Sequence, residues 1–107
     1  MTLITHALVS KIELEKIFDS VKATGVHFTV DGTTHMMNAS KEVIICGGVV
    51  NSPQILELSG IGSSTVLEKA GIDVLVDLPG VGENLSDHTA TGLVLVSVYI
   101  ALVTSIH

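Results

Sequence analysis

The run Glu42-Val-Ile-Ile-Cys46, followed by Gly47-Gly48 and then Ser52-Pro53, constrains this chain more than any other stretch. A short continuous apolar run is the pattern of a strand covered on both faces. A helix is predicted next, with Ser52 as its N-cap and Pro53 at the first helical position, where a missing N–H costs nothing. Ile55, Leu56 and Leu58 supply its apolar face, and Gly60 or Gly62 stops it.

The flanking sequence fills in the remaining elements. Upstream, residues 3–18 show partial period-two alternation, with Lys11, Glu13 and Glu15 set against Ile12, Leu14 and Lys16. That pattern predicts one or two half-exposed strands. Asp31-Gly32 then separates two strand-like runs, 25–30 and 33–38, a strong signal for a two-residue hairpin turn. The opening third therefore reads as an antiparallel meander. Downstream, a second helix is predicted from Ser64 to Gly71, with Thr65 and Glu68 at capping-box spacing. A short strand over 72–76 and a turn at Pro79-Gly80 follow. The chain mixes α and β.

Composition narrows what such a chain can do. Its 107 residues amount to about one small domain. Hydrophobic residues at 47% against 15% charged exclude a disordered chain, and 3% aromatics make any core aliphatic. A mean hydropathy of +0.62 is what a piece of a larger core would show. Five Lys and Arg against eleven Asp and Glu give a net charge of −6, which argues against nucleic acid or an anionic membrane as partner. The lone Cys46 excludes an internal disulfide and leaves the compartment open. The opening Met1-Thr-Leu-Ile-Thr-His lacks the basic start of a signal peptide. Residues 93–107 form an apolar tail, rich in Val, Thr and Ile and without flanking basic residues, expected as a buried strand rather than a membrane helix.

The strand–glycine–helix unit is the first candidate for chemistry. Glycines after a strand let backbone approach a ligand closely, and the following helix offers free N–H groups to an anion. Taken alone the signal is weak, because glycines also serve merely to turn a chain. Other residues read more blandly. His6, His27 and His35 lie in the meander without metal-ligand spacing and are expected on strand faces or the surface. Asp87 and His88 are sequence neighbours that point apart, so Ser86-Asp87-His88 is not a triad. Cys46 closes an apolar run and is expected as a small buried hydrophobe.

The details of the unit go further. Lys41-Glu42-Val-Ile-Ile-Cys46-Gly47-Gly48, then Asn51-Ser52-Pro53-Gln54-Ile55-Leu56 and Ser59-Gly60-Ile61-Gly62, resemble a signature of the glucose–methanol–choline (GMC) oxidoreductases. Val49 and Cys46-Gly47 depart from the small residues usual there. The block from Ala70 through Pro79-Gly80-Val81-Gly82-Glu83-Asn84-Leu85-Ser86-Asp87-His88 and the segment around Val9-Ser-Lys11-Ile12 are also similar to that family. The resemblance covers residues 1–92 and implies an α/β chain (an α+β fragment). It would be part of an FAD/NAD(P)-binding Rossmann-like domain that carries an antiparallel β-meander. It implies FAD as cofactor, with Val9, Gly47, Gly48, Asn51, Ser52 and Pro53 as the residues touching it. It implies oxidation of the CH–OH group of an alcohol, the alcohol being a partner of the full-length family protein. No Gly-x-Gly-x-x-Gly follows a strand in these residues, and no catalytic residue is assigned. The alternative expectation is a truncated, non-catalytic protein that binds no flavin.

Overall fold

A computed structural model describes residues 2–88. It opens with a three-stranded antiparallel sheet in the order β1 (Leu8–Ile17), β2 (Ser20–Val30), β3 (Thr33–Asn38). The β2–β3 register runs unbroken from Val30↔Thr33 to Gly25↔Asn38. Its turn residues Asp31 and Gly32 both take positive φ, 49° and 77°, which matches the right-handed twist of the strands they join. β1 pairs with β2 less regularly. One extra residue, Ser10, sits between the pairs Val9↔Phe28 and Lys11↔His27, and a second irregularity falls at Thr24 between Glu13↔Gly25 and Leu14↔Ala23. Ser10 is thus a β-bulge, an extra residue that re-aims everything on one side of it.

The expected buried strand over 42–46 is not one. These residues carry no strand ladder, Ile44 stays 74% exposed and Cys46 is exposed. The correction has a simple cause. A strand covered on both faces belongs to a parallel sheet, whose partners come from distant parts of a chain. Among the described residues no strand lies alongside this one.

Helix α1 (Gly48–Leu58) begins five residues before the predicted first helical residue, Pro53. Ser52 is not its N-cap; its hydroxyl accepts the Gly47 N–H at 3.0 Å, reaching back over the first turn. Pro53 consequently lies inside the helix. Its nitrogen has no hydrogen to offer the Val49 carbonyl, so the helix goes without one hydrogen bond at that turn. The C-terminus follows the expected rule. Gly60 has φ +86 and its N–H bonds to the Glu57 carbonyl, closing the helix. A Cβ at Gly60 would lie 2.6 Å from the Asp73 carbonyl oxygen, so only glycine lets the two chain segments approach.

Two short parallel strands, β4 (Ile61–Gly62) and β5 (Val76–Asp77), bracket helix α2 (Ser64–Lys69). The strand expected over 72–76 is thus confined to its end. The proposed capping box does not form, because no side chain caps the helix from its own N-cap Ser63. Asp77 does so instead: its Oδ1 accepts the Ser64 N–H at 2.9 Å. Leu67 is the one fully buried side chain of this half, under Gly62. The turn at Pro79-Gly80 is present, closed by Val81 N–H donating to the Leu78 carbonyl.

The two halves meet through α1 and β1. Ile12 and Phe28 are buried on the sheet, and Ser59 is buried at the helix end. The Ser59 hydroxyl donates to the Ile55 carbonyl at 2.6 Å and accepts the Ile12 N–H at 2.8 Å. That bond joins residues 47 apart and ties the end of α1 to the outer edge of the sheet. The tail 93–107 lies outside the described residues.

Candidate functional site

Two clefts flank the N-terminal half of α1. The first, of about 510 Å³, lies between the edge strand β1 and the helix. Leu8, Val9, Ile12 and Val26 form its sheet wall, residues 43–47 its floor, and Asn51, Gln54 and Ile55 its helix wall. No acidic or basic side chain lines it. A neutral, largely aliphatic slot with a few amides at its rim suits a flat uncharged ring, which gains from burial and needs only a few hydrogen bonds to be oriented.

The second cleft, of about 760 Å³, lies on the other side of the helix. Ser52, Pro53 and Glu57 line it from α1, and residues 80–86 close it from the loop. It carries two acids, Glu57 and Glu83, and Asn84 in that loop holds φ +57. Glu57 is half-buried, with Oε1 aimed at Gly82. Two carboxylates make this face a poor host for an anion unless a cation intervenes.

The six residues singled out from the sequence therefore separate. Val9, Gly47 and Asn51 line the neutral cleft together. Ser52 and Pro53 face the acidic one, because successive helix residues point about 100° apart. Gly48, with φ +83, lines neither and serves the change of direction into the helix. Sequence reasoning missed Ile12, Val26 and Ile55 as cleft walls. Their apolar character was visible, but their convergence depends on how α1 lies across β1.

Other candidates resolve plainly. His27 and Glu13 form an ion pair across the first two strands, Nε2 to Oε2 at 2.5 Å. The hydrogen bond from His27 holds the Glu13 carboxyl below its ordinary pKa, with help from the charges of His27 and Lys11. His35 stacks on Phe28 with ring centroids 5.5 Å apart. Asp87 Oδ1 accepts its neighbour's backbone N–H rather than orienting the His88 ring. Among the described residues no three ligating side chains gather for a metal. Within the same residues no helix is long and apolar enough to cross a membrane.

Comparison with known proteins places this geometry. A family model described as GMC oxidoreductase matches residues 1–90. The chain is 51% identical over 94 residues to the GMC oxidoreductase family protein Mala s 12 of Malassezia sympodialis, covering 82% of this chain and 15% of that protein. It is 51% identical over 83 residues to mitochondrial choline dehydrogenase of Homo sapiens, covering 78% of this chain and 13% of the relative. Among solved structures, an FAD-dependent oxidoreductase from Chaetomium thermophilum superposes with a TM-score of 0.62 at 40% identity, over 72% of this chain and 13% of that one. Pyridoxine 4-oxidase from Mesorbium loti superposes with a TM-score of 0.61 at 27% identity, over 68% of this chain and 13% of that one. The chain thus spans about 15% of the length of the curated relatives it matches.

Proposed function

Because the chain belongs to the GMC oxidoreductase family, we propose that it forms one wall of the FAD site of an enzyme oxidising the CH–OH group of an alcohol. The observation that carries this reading is the neutral cleft in which Val9, Gly47 and Asn51 converge. It is the part of the described surface suited to the uncharged adenine ring, the end of the cofactor remote from redox chemistry.

Each wall has a distinct task. Val9, Ile12 and Ile55 exclude water from the faces of the ring, which strengthens any hydrogen bond made inside the slot. Asn51 brings an amide to the rim, able to donate or accept toward a sugar hydroxyl. FAD, when bound, supplies the acceptor for the hydride leaving the alcohol carbon. Ser52 and Pro53 act indirectly, the serine hydroxyl holding Gly47 in place through its N–H. The exposed apolar residues Ile44, Val49 and Val50 fit a segment that is covered in a larger domain. Residues 1–92 form the family part under this reading, with 93–107 apart from it.

Titrating the purified chain with FAD, with flavin fluorescence as readout, tests the proposal. A saturable rise is expected, because seating the adenine separates it from the flavin ring that it quenches in free FAD; adenosine monophosphate should reverse it and flavin mononucleotide should not. A folded chain, shown by circular dichroism, that leaves FAD fluorescence unchanged would sink the reading and leave the non-flavin-binding alternative.

A further inference from the structure

We infer that Asn38 is an acceptor site for an N-linked oligosaccharide, carried on the face of the meander that looks away from the neutral cleft. The site lies on a different surface from the proposed FAD wall and does not depend on it.

Two of the three asparagines in the chain begin the triplet Asn-x-Ser with x other than proline, Asn38-Ala39-Ser40 and Asn84-Leu85-Ser86. Asn51, followed by Ser52-Pro53, does not. That triplet is the acceptor pattern for glycan transfer to an asparagine amide. The triplet is short and arises often by chance, so the fold has to choose between the two.

Asn38 is the last residue of β3, an edge strand whose six residues are all exposed. Its face follows from the register. Met37 pairs with Val26, a wall of the neutral cleft, so Asn38, one residue on, points from the opposite face. Lys11, Glu13, His27 and Met36 share that face through the pairs Lys11↔His27, His27↔Met36, Glu13↔Gly25 and Gly25↔Asn38. The neighbour directly across from Asn38 is thus Gly25, which has no side chain to crowd a sugar. The Ala39 N–H donates to the Thr24 carbonyl at 2.8 Å, and Ser40 lies exposed in a bend beyond that bond. Both polar members of the triplet are therefore open to solvent.

Asn84 is placed otherwise. It lines the acidic cleft with Glu57 and Glu83, and it holds φ +57 in the loop that closes that cleft. A sugar there fills the cleft, and an enzyme reaching the amide must first draw the loop away.

In the transfer, Asn38 Nδ2 attacks the first sugar of an oligosaccharide carried on a polyprenyl diphosphate. A carbon–nitrogen bond forms at the anomeric carbon as the bond from that carbon to the diphosphate oxygen breaks. The diphosphate leaves with the electron pair, and the amide proton passes to the transferring enzyme. The attached sugar covers the end of β3, whose outer edge is unpaired among the described residues and bears Met36 and Met37, each 48% exposed. It thereby opposes pairing of that edge with a strand of another molecule.

The test is secretion of the full 107-residue chain from yeast behind a cleavable signal. Peptide mass spectrometry then follows treatment with peptide-N-glycosidase in heavy-oxygen water, which labels each asparagine that carried a glycan. Label is expected at Asn38 and not at Asn84. Ser40→Ala is expected to abolish the label and Ser40→Thr to keep it, though neither alters the amide itself. If the chain is retained in the cells, label at Asn38 in the cell-held protein decides the matter. An unlabelled Asn38, or equal label at both asparagines, would overturn the inference and leave the FAD reading standing.

Discussion

The meander and the segment 42–47 are both written in strand-forming residues, yet only the meander is a sheet. In the meander each strand meets its partner through a two-residue turn, so the ladder closes locally. The segment 42–47 has greater continuous apolarity but no adjacent strand among the described residues, and its main chain joins no strand ladder. Apolar pattern alone therefore does not make a strand. What distinguishes the two regions is where the partner is encoded, two residues away or elsewhere in the fold.

The largest expected effect is at Gly60, where the end of α1 and the segment leading into β5 approach each other. Gly60→Ala should cost about 3 kcal/mol, combining a left-handed backbone penalty of about 1–2 kcal/mol with the clash against the Asp73 carbonyl. Urea denaturation followed by circular dichroism measures it, and a loss under about 1 kcal/mol would mean the two segments separate readily. Next comes a matched pair of truncations. Ile12→Ala, in the sheet core, should lose about 2–3 kcal/mol, at the low end for an isoleucine because the core is small. Ile44→Ala, in the unpaired segment, should stay within about 0.5 kcal/mol of wild type. Equal losses would show that the segment is packed after all.

Two smaller effects probe the meander itself. Phe18, in the β1–β2 turn, is 94% exposed and holds φ +52. Phe18→Gly should raise stability by up to about 1 kcal/mol, since the strain relieved exceeds the entropy glycine adds to the unfolded chain. An unchanged or lower melting temperature would contradict this. The smallest effect is electrostatic. Glu13 has a depressed pKa in the folded chain, so its contribution is present above the ordinary carboxylate range and is lost as pH falls through the lowered value. Thermal melts at successive pH values below 5 should show this decline, and Glu13→Gln should flatten it. An equally steep decline in Glu13→Gln would assign the effect to other carboxylates.

What the sequence revealed follows the same division. The Asp31-Gly32 hairpin, the stop at Gly60, the second helix from Ser64 and the Pro79-Gly80 turn were all legible, because each is set by backbone preferences of one or two residues. The family was legible too, through an ordered run of short motifs. The start of α1 was misplaced because Ser52-Pro53 reads as a helix opening by every local rule, while the turn that starts the helix lies at Gly47-Gly48. The bulge at Ser10 left no mark, since a bulge of this kind accepts almost any residue. The Ser59–Ile12 bond was equally hidden: it joins residues 47 apart, and nothing in either one announces the other. Of the predicted site residues, sequence supplied the segments and the structure supplied the sorting into two clefts.

The bond from Asp77 to the Ser64 amide bears on the order of folding. A helix of six residues is far below the length at which a helix persists alone in water. Its first-turn partner arrives thirteen residues later, on β5, which itself exists only as a two-residue pairing with β4. None of the three can precede the others, so residues 61–77 should form and open as one cooperative unit. Native-state hydrogen exchange should find the amides of Val66, Leu67 and Val76 sharing a single opening free energy. The meander should open separately, at a value of its own.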